Sequence, residues 1–153
     1  MFEEDQRDRN EKLYETDPDA FLCRDAARLA RALELFELKE LLPAQSFLDL
    51  AFLFQHGSEP DHYKKAWELA DEALAQGCES AAWLTAAAED RNLLSIGQKQ
   101  KWGTQFAQND DGEWEQQAMA EDAESGITDD LRRAKNVPPR GEQLMVFLSH
   151  MAS

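Results

Sequence analysis

The stretch PDHYKKAWELADEALAQ, residues 60–76, decides the fold class. Pro60 suits a first helical position, where its missing N–H costs nothing. Behind it, Tyr63, Ala66, Trp67, Ala70, Ala73 and Leu74 recur at spacings of three and four, which is one face of a helix, and Gly77 follows as a stop. The same period extends in both directions. Downstream, a short turn leads into a further helix over residues 79–95. Upstream, FLDLAFLF (47–54) is apolar nearly all round, so a helix opened by Pro43 and ended at His56 and Gly57 is expected at the centre of the core. Before that, Asp17-Pro18-Asp19 reads as a helix start. Leu22, Ala26, Leu29, Leu33 and Phe36 then predict an inward stripe, with Leu42 and Pro43 ending the helix.

The A-x-x-x-A-x-x-A-L spacing in 66–74 resembles the second helix of a tetratricopeptide repeat, yet no second copy occurs at a fixed period, so one hairpin inside a single domain is expected. After Gly97 the period changes. Trp102, Thr104 and Phe106 alternate, NDDG (109–112) signals a turn, and 113–119 can return as a partner strand. Thr128 can cap a short helix ending at Asn136, and 142–150 reads as a last helix. The expected fold is mainly α: a single-domain helical bundle over residues 1–153 with a small β-hairpin after the fourth helix.

Composition narrows the function. The chain has 153 residues, with 16 Lys and Arg against 31 Asp and Glu, a formal net charge of -15. Such a field repels polyanions, so nucleic acid is not an expected partner. No apolar run approaches the length of a membrane span, and the start MFEEDQRDRNE is too acidic for a secretory signal, which makes the cytosol the expected address and a membrane an unexpected partner. Cys23 and Cys78 lack CxxC or zinc spacing and read as reduced thiols. No glycine-rich strand-to-helix turn suggests a nucleotide, and no serine or cysteine sits in a nucleophile context. His56, Glu59, Asp61 and His62 lie close in sequence, but Pro60 interrupts them and no metal site is expected. The expectation is no cofactor.

The polar residues worth following gather around GQKQKWGTQF, residues 97–106. Asp90 shares a stripe with Trp83, Ala87 and Leu94, so its carboxylate faces the core or a cleft. Two readings stand. Asp90 pins the 97–106 segment by hydrogen bonds, or it is a general base in a pocket floored by Trp83 and rimmed by that segment. Gln100 and Gln105 can each donate and accept, and Gly97 and Gly103 permit left-handed torsions. His56 at a helix end either answers the helix dipole or serves as an acid/base partner of Asp90.

These residues resemble a bacterial and fungal family of domains of unknown function. Its members carry D-Q-x-x-R, here Asp5, Gln6 and Arg9; Q-H after an apolar helix, here Gln55 and His56; and D-R-x-L, here Asp90, Arg91 and Leu93. They also carry G-x-x-Q-x-Y-G-T-Q, here Gly97, Gln100, Gly103, Thr104 and Gln105, and R-x-x-x-G-L-P, here Arg132 with Asn136, Val137 and Pro138. Trp102 stands in the tyrosine position, Gly57 where an Ala-Asp pair is common, and Asn136 where glycine is usual. Charges and amides scattered over distant segments imply a pocket. The expected activity is cofactor-independent acid/base chemistry of hydrolase, lyase or isomerase type on a small polar or anionic molecule. Asp90 and His56 would be catalytic, Arg9, Arg91 and Arg132 would clamp an anion, and Asp5, Gln100, Trp102, Thr104 and Gln105 would bind the ligand. The alternative is a non-catalytic, tetratricopeptide-like interaction module with a structural polar network. The sequence leaves the oligomeric state open.

Overall fold

The computed structural model describes residues 1–38 and 42–151. In chain order it runs α1 (Phe2–Asn10), α2 (Leu13–Thr16), α3 (Pro18–Phe36), α4 (Ala44–Gln55), α5 (Pro60–Ala75), a 3-10 turn (Glu79–Ala81) and α6 (Ala82–Ser95). There follow β1 (Phe106–Gln108), β2 (Trp114–Gln116), α7 (Asp122–Ser125), α8 (Asp129–Ala134) and α9 (Gln143–Met151). The fold is a mainly α bundle with one small antiparallel hairpin. Among the described residues no helix is long and apolar enough to cross a membrane.

The core sits where the apolar pattern is densest. Helix α4 buries Phe47, Leu48, Leu50, Ala51, Leu53 and Phe54, which requires neighbours on several sides. Helices α5 and α6, with the 3-10 turn between them, answer mostly with alanines, Ala66, Ala70, Ala73, Ala81 and Ala88, plus Leu69 and Leu84. Small side chains let the helix axes approach closely, so α4, α5 and α6 form one tight layer. At the α4–α5 turn a Cβ on Gly57 would meet the His62 ring at 2.6 Å, and His62 Nδ1 accepts the Glu59 N–H at 3.2 Å to cap α5.

Three differences from the expected arrangement have physical causes. Helix α3 is turned on its axis: Leu22 is 64 % exposed and Leu33 37 %, while Phe21, Arg28 and Ala32 face inward. Arg28 is drawn in by carboxylates on α1, a pull that an apolar-period reading does not register. The helix ends at Phe36; the path from there to the expected stop at Leu42 and Pro43 crosses 39–41, outside the described residues. Second, α1 and α2 precede the expected first helix, so the expected fourth helix is α6. Helix α1 has no apolar stripe, and the residues it buries are Asp5 and Asp8.

Third, the strands begin later than the alternation suggests. Phe106 pairs with Gln116 and Gln108 with Trp114, while Trp102 and Thr104 belong to a loop wrapped over Asp90. The turn itself follows the sequence signal: Asn109 Oδ1 accepts the N–H of Asp111 at 3.1 Å and of Glu113 at 2.9 Å. Phe147 of α9 stacks on Phe106 at 4.3 Å and meets the edge of Trp114 at 5.1 Å, which fastens the hairpin to the C-terminal helix. Thr128 caps α8 through the Leu131 N–H, and Asn136 ends it with φ +56°.

Candidate functional site

The polar residues fall into two centres, one of them carried by α6. The first is built on Asp90, fully buried near the end of that helix. Its Oδ1 accepts the backbone N–H of Lys101 at 2.7 Å and of Trp102 at 2.9 Å. Its Oδ2 accepts the N–H of Gly103 at 2.9 Å and of Thr104 at 3.0 Å, and the Thr104 hydroxyl at 2.9 Å. Burial pushes the Asp90 carboxyl above its ordinary value, and these donors pull against that shift. Every lone-pair direction of the carboxylate is taken.

The rest of the segment is equally occupied. Gln100 Nε2 donates to the carbonyls of Gln105 and Gln117, and its Oε1 accepts the Gln105 N–H. Trp102 Nε1 donates to Glu89 Oε2 at 2.6 Å, beside a Lys101–Glu89 ion pair at 2.9 Å. Arg132, fully buried, places Nε on the Trp102 carbonyl, Nη1 on Asp122 and Asp129, and Nη2 on Asp122 and the Lys101 carbonyl. All five of its donors are used. Asp122, held by Arg132 and Arg140, titrates at about 2. Gln143, which belongs to no motif of the sequence, donates to the Trp102 and Pro138 carbonyls and accepts from Gln116.

A cleft of about 410 Å3 does open beside Trp83, with Gly103, Thr104, Phe106, Val137 and Phe147 in its wall. Asp90 lies behind Gly103 and Thr104 and does not line it.

The second centre lies where α1, α3 and the end of α4 meet. Asp5 is buried and takes Gln6 Nε2 at 2.9 Å and Arg9 Nε at 3.1 Å. Arg9 Nη2 also donates to both oxygens of Asp25 at 3.1 and 3.0 Å. Arg28 donates to Asp8 at 2.7 Å and Asp25 at 2.9 Å, with its Nε 3.7 Å from Asp5, and Arg24 closes the set on Asp8 at 2.9 Å. His56 Nδ1 stands 3.1 Å from Asp5 Oδ2, an ion-pair distance at an angle that makes no aligned hydrogen bond. Burial alone would raise the Asp5 carboxyl; the opposing pull of His56 and Arg9 brings it down to about 2. His56 and Asp5 line a recess of about 260 Å3.

Arg91 joins the two centres. Its Nη1 donates to the Gln55 carbonyl at 2.6 Å, its Nε to Gln105 Oε1 at 3.2 Å, and its guanidinium carbon lies 5.8 Å from the centre of the Tyr63 ring. Among the described residues it has no carboxylate partner. Burial and the nearby Arg9 charge push its pKa down.

The structure therefore gathers Asp90, Trp102, Thr104, Gln100, Gln105 and Arg132 into one assembly and Asp5, Arg9 and His56 into another. Among the described residues no hydrogen bond or ion pair joins Asp90 to His56; the carboxylate beside the imidazole is Asp5. Asp8, Arg24, Asp25 and Arg28 were not singled out by sequence. The signal that could have found them is the complementary charge spacing, Asp5 and Asp8 three apart facing Arg24 and Arg28 four apart.

Compared with protein-family models, with curated proteins and with solved structures, the chain matches none.

Proposed function

We propose that the chain is a cofactor-independent acid/base enzyme acting on a small polar or anionic molecule, with His56 as the proton-transfer group. The observation that supports this is the buried, ionised Asp5 behind His56 Nδ1. A carboxylate in that place favours the tautomer with hydrogen on Nδ1, which leaves the Nε2 lone pair to take a proton from a ligand. Nε2 has no partner among the described residues, and the imidazole keeps 23 % of its surface exposed. Asp5 is thus a positioning residue, itself oriented by Arg9 and Gln6. In this reading Asp90 gives up the catalytic part expected from the sequence and holds the loop that carries Gln105 to Arg91.

Nitrogen NMR of the neutral imidazoles tests the reading. The expected result is an Nδ1–H tautomer for His56 that shifts to a mixture in Asp5→Asn. An Nε2–H tautomer in the wild type would remove the base and the proposal with it. The same reading places the chain in the cytosol, where Cys23 and Cys78, both free, stay reduced, and keeps membranes and nucleic acid off the list of partners.

A second reading has its own support. Because Asp90 and Arg132 have all their polar capacity filled within the chain, the polar motif serves as a structural staple, which suits a non-catalytic, tetratricopeptide-like interaction module. Thermal unfolding of His56→Ala separates the two. An unchanged or raised melting temperature favours a residue kept for chemistry; a loss as large as that of Asp90→Asn favours the module.

A further inference from the structure

The charged cluster on α1 and α3 balances itself. Asp5, Asp8 and Asp25 face Arg9, Arg24 and Arg28, and each carboxylate is bonded to at least one of those guanidinium groups. Arg91 stands outside this balance. It is largely withdrawn from water, it touches two neutral oxygens and the face of Tyr63, and its Nη2 has no bond among the described residues. A guanidinium so placed has lost hydration without gaining an opposite charge, which is costly unless something else supplies the charge. Its partner oxygen belongs to Gln55, the residue peptide-linked to His56, so the unspent cation and the imidazole share one corner of the fold. In that corner a neutral side-chain acceptor, Gln55 Oε1, is buried and also unpartnered, although Gln55 is only 6 % exposed.

We propose that Arg91 is the anchor for an oxyanion of the ligand, carboxylate or phosphate, with the adjoining hydroxyl or amine of that ligand directed to Gln55 Oε1 and its reacting portion to His56. The inference rests on the acid/base reading only for the last clause; the anion site stands by itself. The planar fork of arginine matches two oxygens of a carboxylate or phosphate. Arg132, whose fork is already closed on Asp122, and Arg9, whose Nε and Nη2 are held by Asp5 and Asp25 so that its charge is already met by carboxylates, do not compete for it.

The test is the melting temperature at low ionic strength with added sodium acetate or sodium phosphate, against sodium chloride of equal ionic strength. The chloride control removes the general screening that any salt gives a chain of charge -15. The expected result is a saturating rise above the chloride curve with at least one anion, since a ligand bound only by the native state raises its stability. The rise is lost in Arg91→Met and weakened about tenfold in apparent affinity in Arg91→Lys, which keeps the charge and loses the fork. Whichever anion acts tells carboxylate from phosphate. An equal rise in wild type and Arg91→Met overturns the proposal, as does no rise beyond chloride with either anion. If Arg91→Met does not fold, the lysine variant decides: affinity equal to wild type overturns it. Anion binding with the wrong His56 tautomer sinks the acid/base reading alone; the right tautomer without anion binding sinks this one alone.

Discussion

Asp90 and Thr104 are joined twice, Oδ2 accepting both the Thr104 N–H at 3.0 Å and its hydroxyl at 2.9 Å. Four successive backbone amides, 101 to 104, therefore converge on one side chain of α6. A single helical residue sets the path of the whole loop. Asn in its place keeps the shape, but its NH2 points at amides that can only donate. Asp90→Asn is expected to cost roughly 2–4 kcal/mol, the penalty for two or so buried donors left unmade. Urea unfolding measures it, and a loss under about 1 kcal/mol would show that the loop holds without the carboxylate.

Asp5 gives a pH dependence with a definite sign. Its carboxyl titrates at about 2 in the folded chain against an ordinary 3.8, so the folded state prefers the ionised form. The stabilisation is complete above the ordinary value and is lost as the pH falls from near 4 toward 2. Asp122 titrates in the same range, so the wild-type curve alone does not separate them. The difference in unfolding free energy between wild type and Asp5→Asn does: it should shrink by about 1–2 kcal/mol across that window. A difference that stays flat would mean that the His56 and Arg9 contacts do not hold Asp5 ionised.

What was legible in the sequence is what apolar periodicity encodes. The runs 47–54 and 60–76 carry their own period and stops, and both became helices of the core within a residue or two of the expected ends. Helix α1 was not legible, because its buried face is made of Asp5 and Asp8, and a polar interface leaves no apolar stripe. The rotation of α3 was hidden for the same reason: Leu22 yields to Arg28 because the arginine has carboxylates to meet. Trp102 and Thr104 alternate like a strand, yet they turn around Asp90; side-chain-to-backbone bonds outweighed the local pattern. In the site, the residues were visible but their pairing was not. Asp5 and His56 are far apart in sequence, and only the docking of α1 beside the end of α4 brings them within 3.1 Å.

Arg132 is the second staple of the loop. With its side chain fully buried and its donors spent on Asp122, Asp129 and the carbonyls of Lys101 and Trp102, replacement by Met leaves the Lys101 oxygen without its donor and the Trp102 oxygen with Gln143 Nε2 alone. Arg132→Met is expected to destabilise by about 2 kcal/mol, the usual scale for leaving a buried acceptor without its donor, since the aspartates themselves stay open to water. Hydrogen exchange at residues 101–104 should rise with it, because the loop loses its outer support. Protection equal to wild type would place the loop's stability on Asp90 alone.

Gly103 is where the loop, the hairpin and the C-terminal helix meet. Its N–H is on Asp90, its carbonyl accepts Gln116 Nε2 at 3.0 Å, and its φ is +89°. A Cβ there would run into the side-chain amide of Gln143, whose Nε2 is itself 2.6 Å from the Trp102 carbonyl. Gly103→Ala therefore incurs two costs, a left-handed torsion for a residue with a side chain and the displacement of Gln143. Gln143 opens α9, so its displacement loosens the helix that carries Phe147 onto Phe106 and Trp114. The expected loss is roughly 2–4 kcal/mol, with the α9 amides exchanging first. Gln143→Ala in the same background should recover part of it, since the clash goes and the torsional cost stays. If the double variant is no more stable than Gly103→Ala, the torsion alone, and not the contact with Gln143, is what fixes glycine at this position.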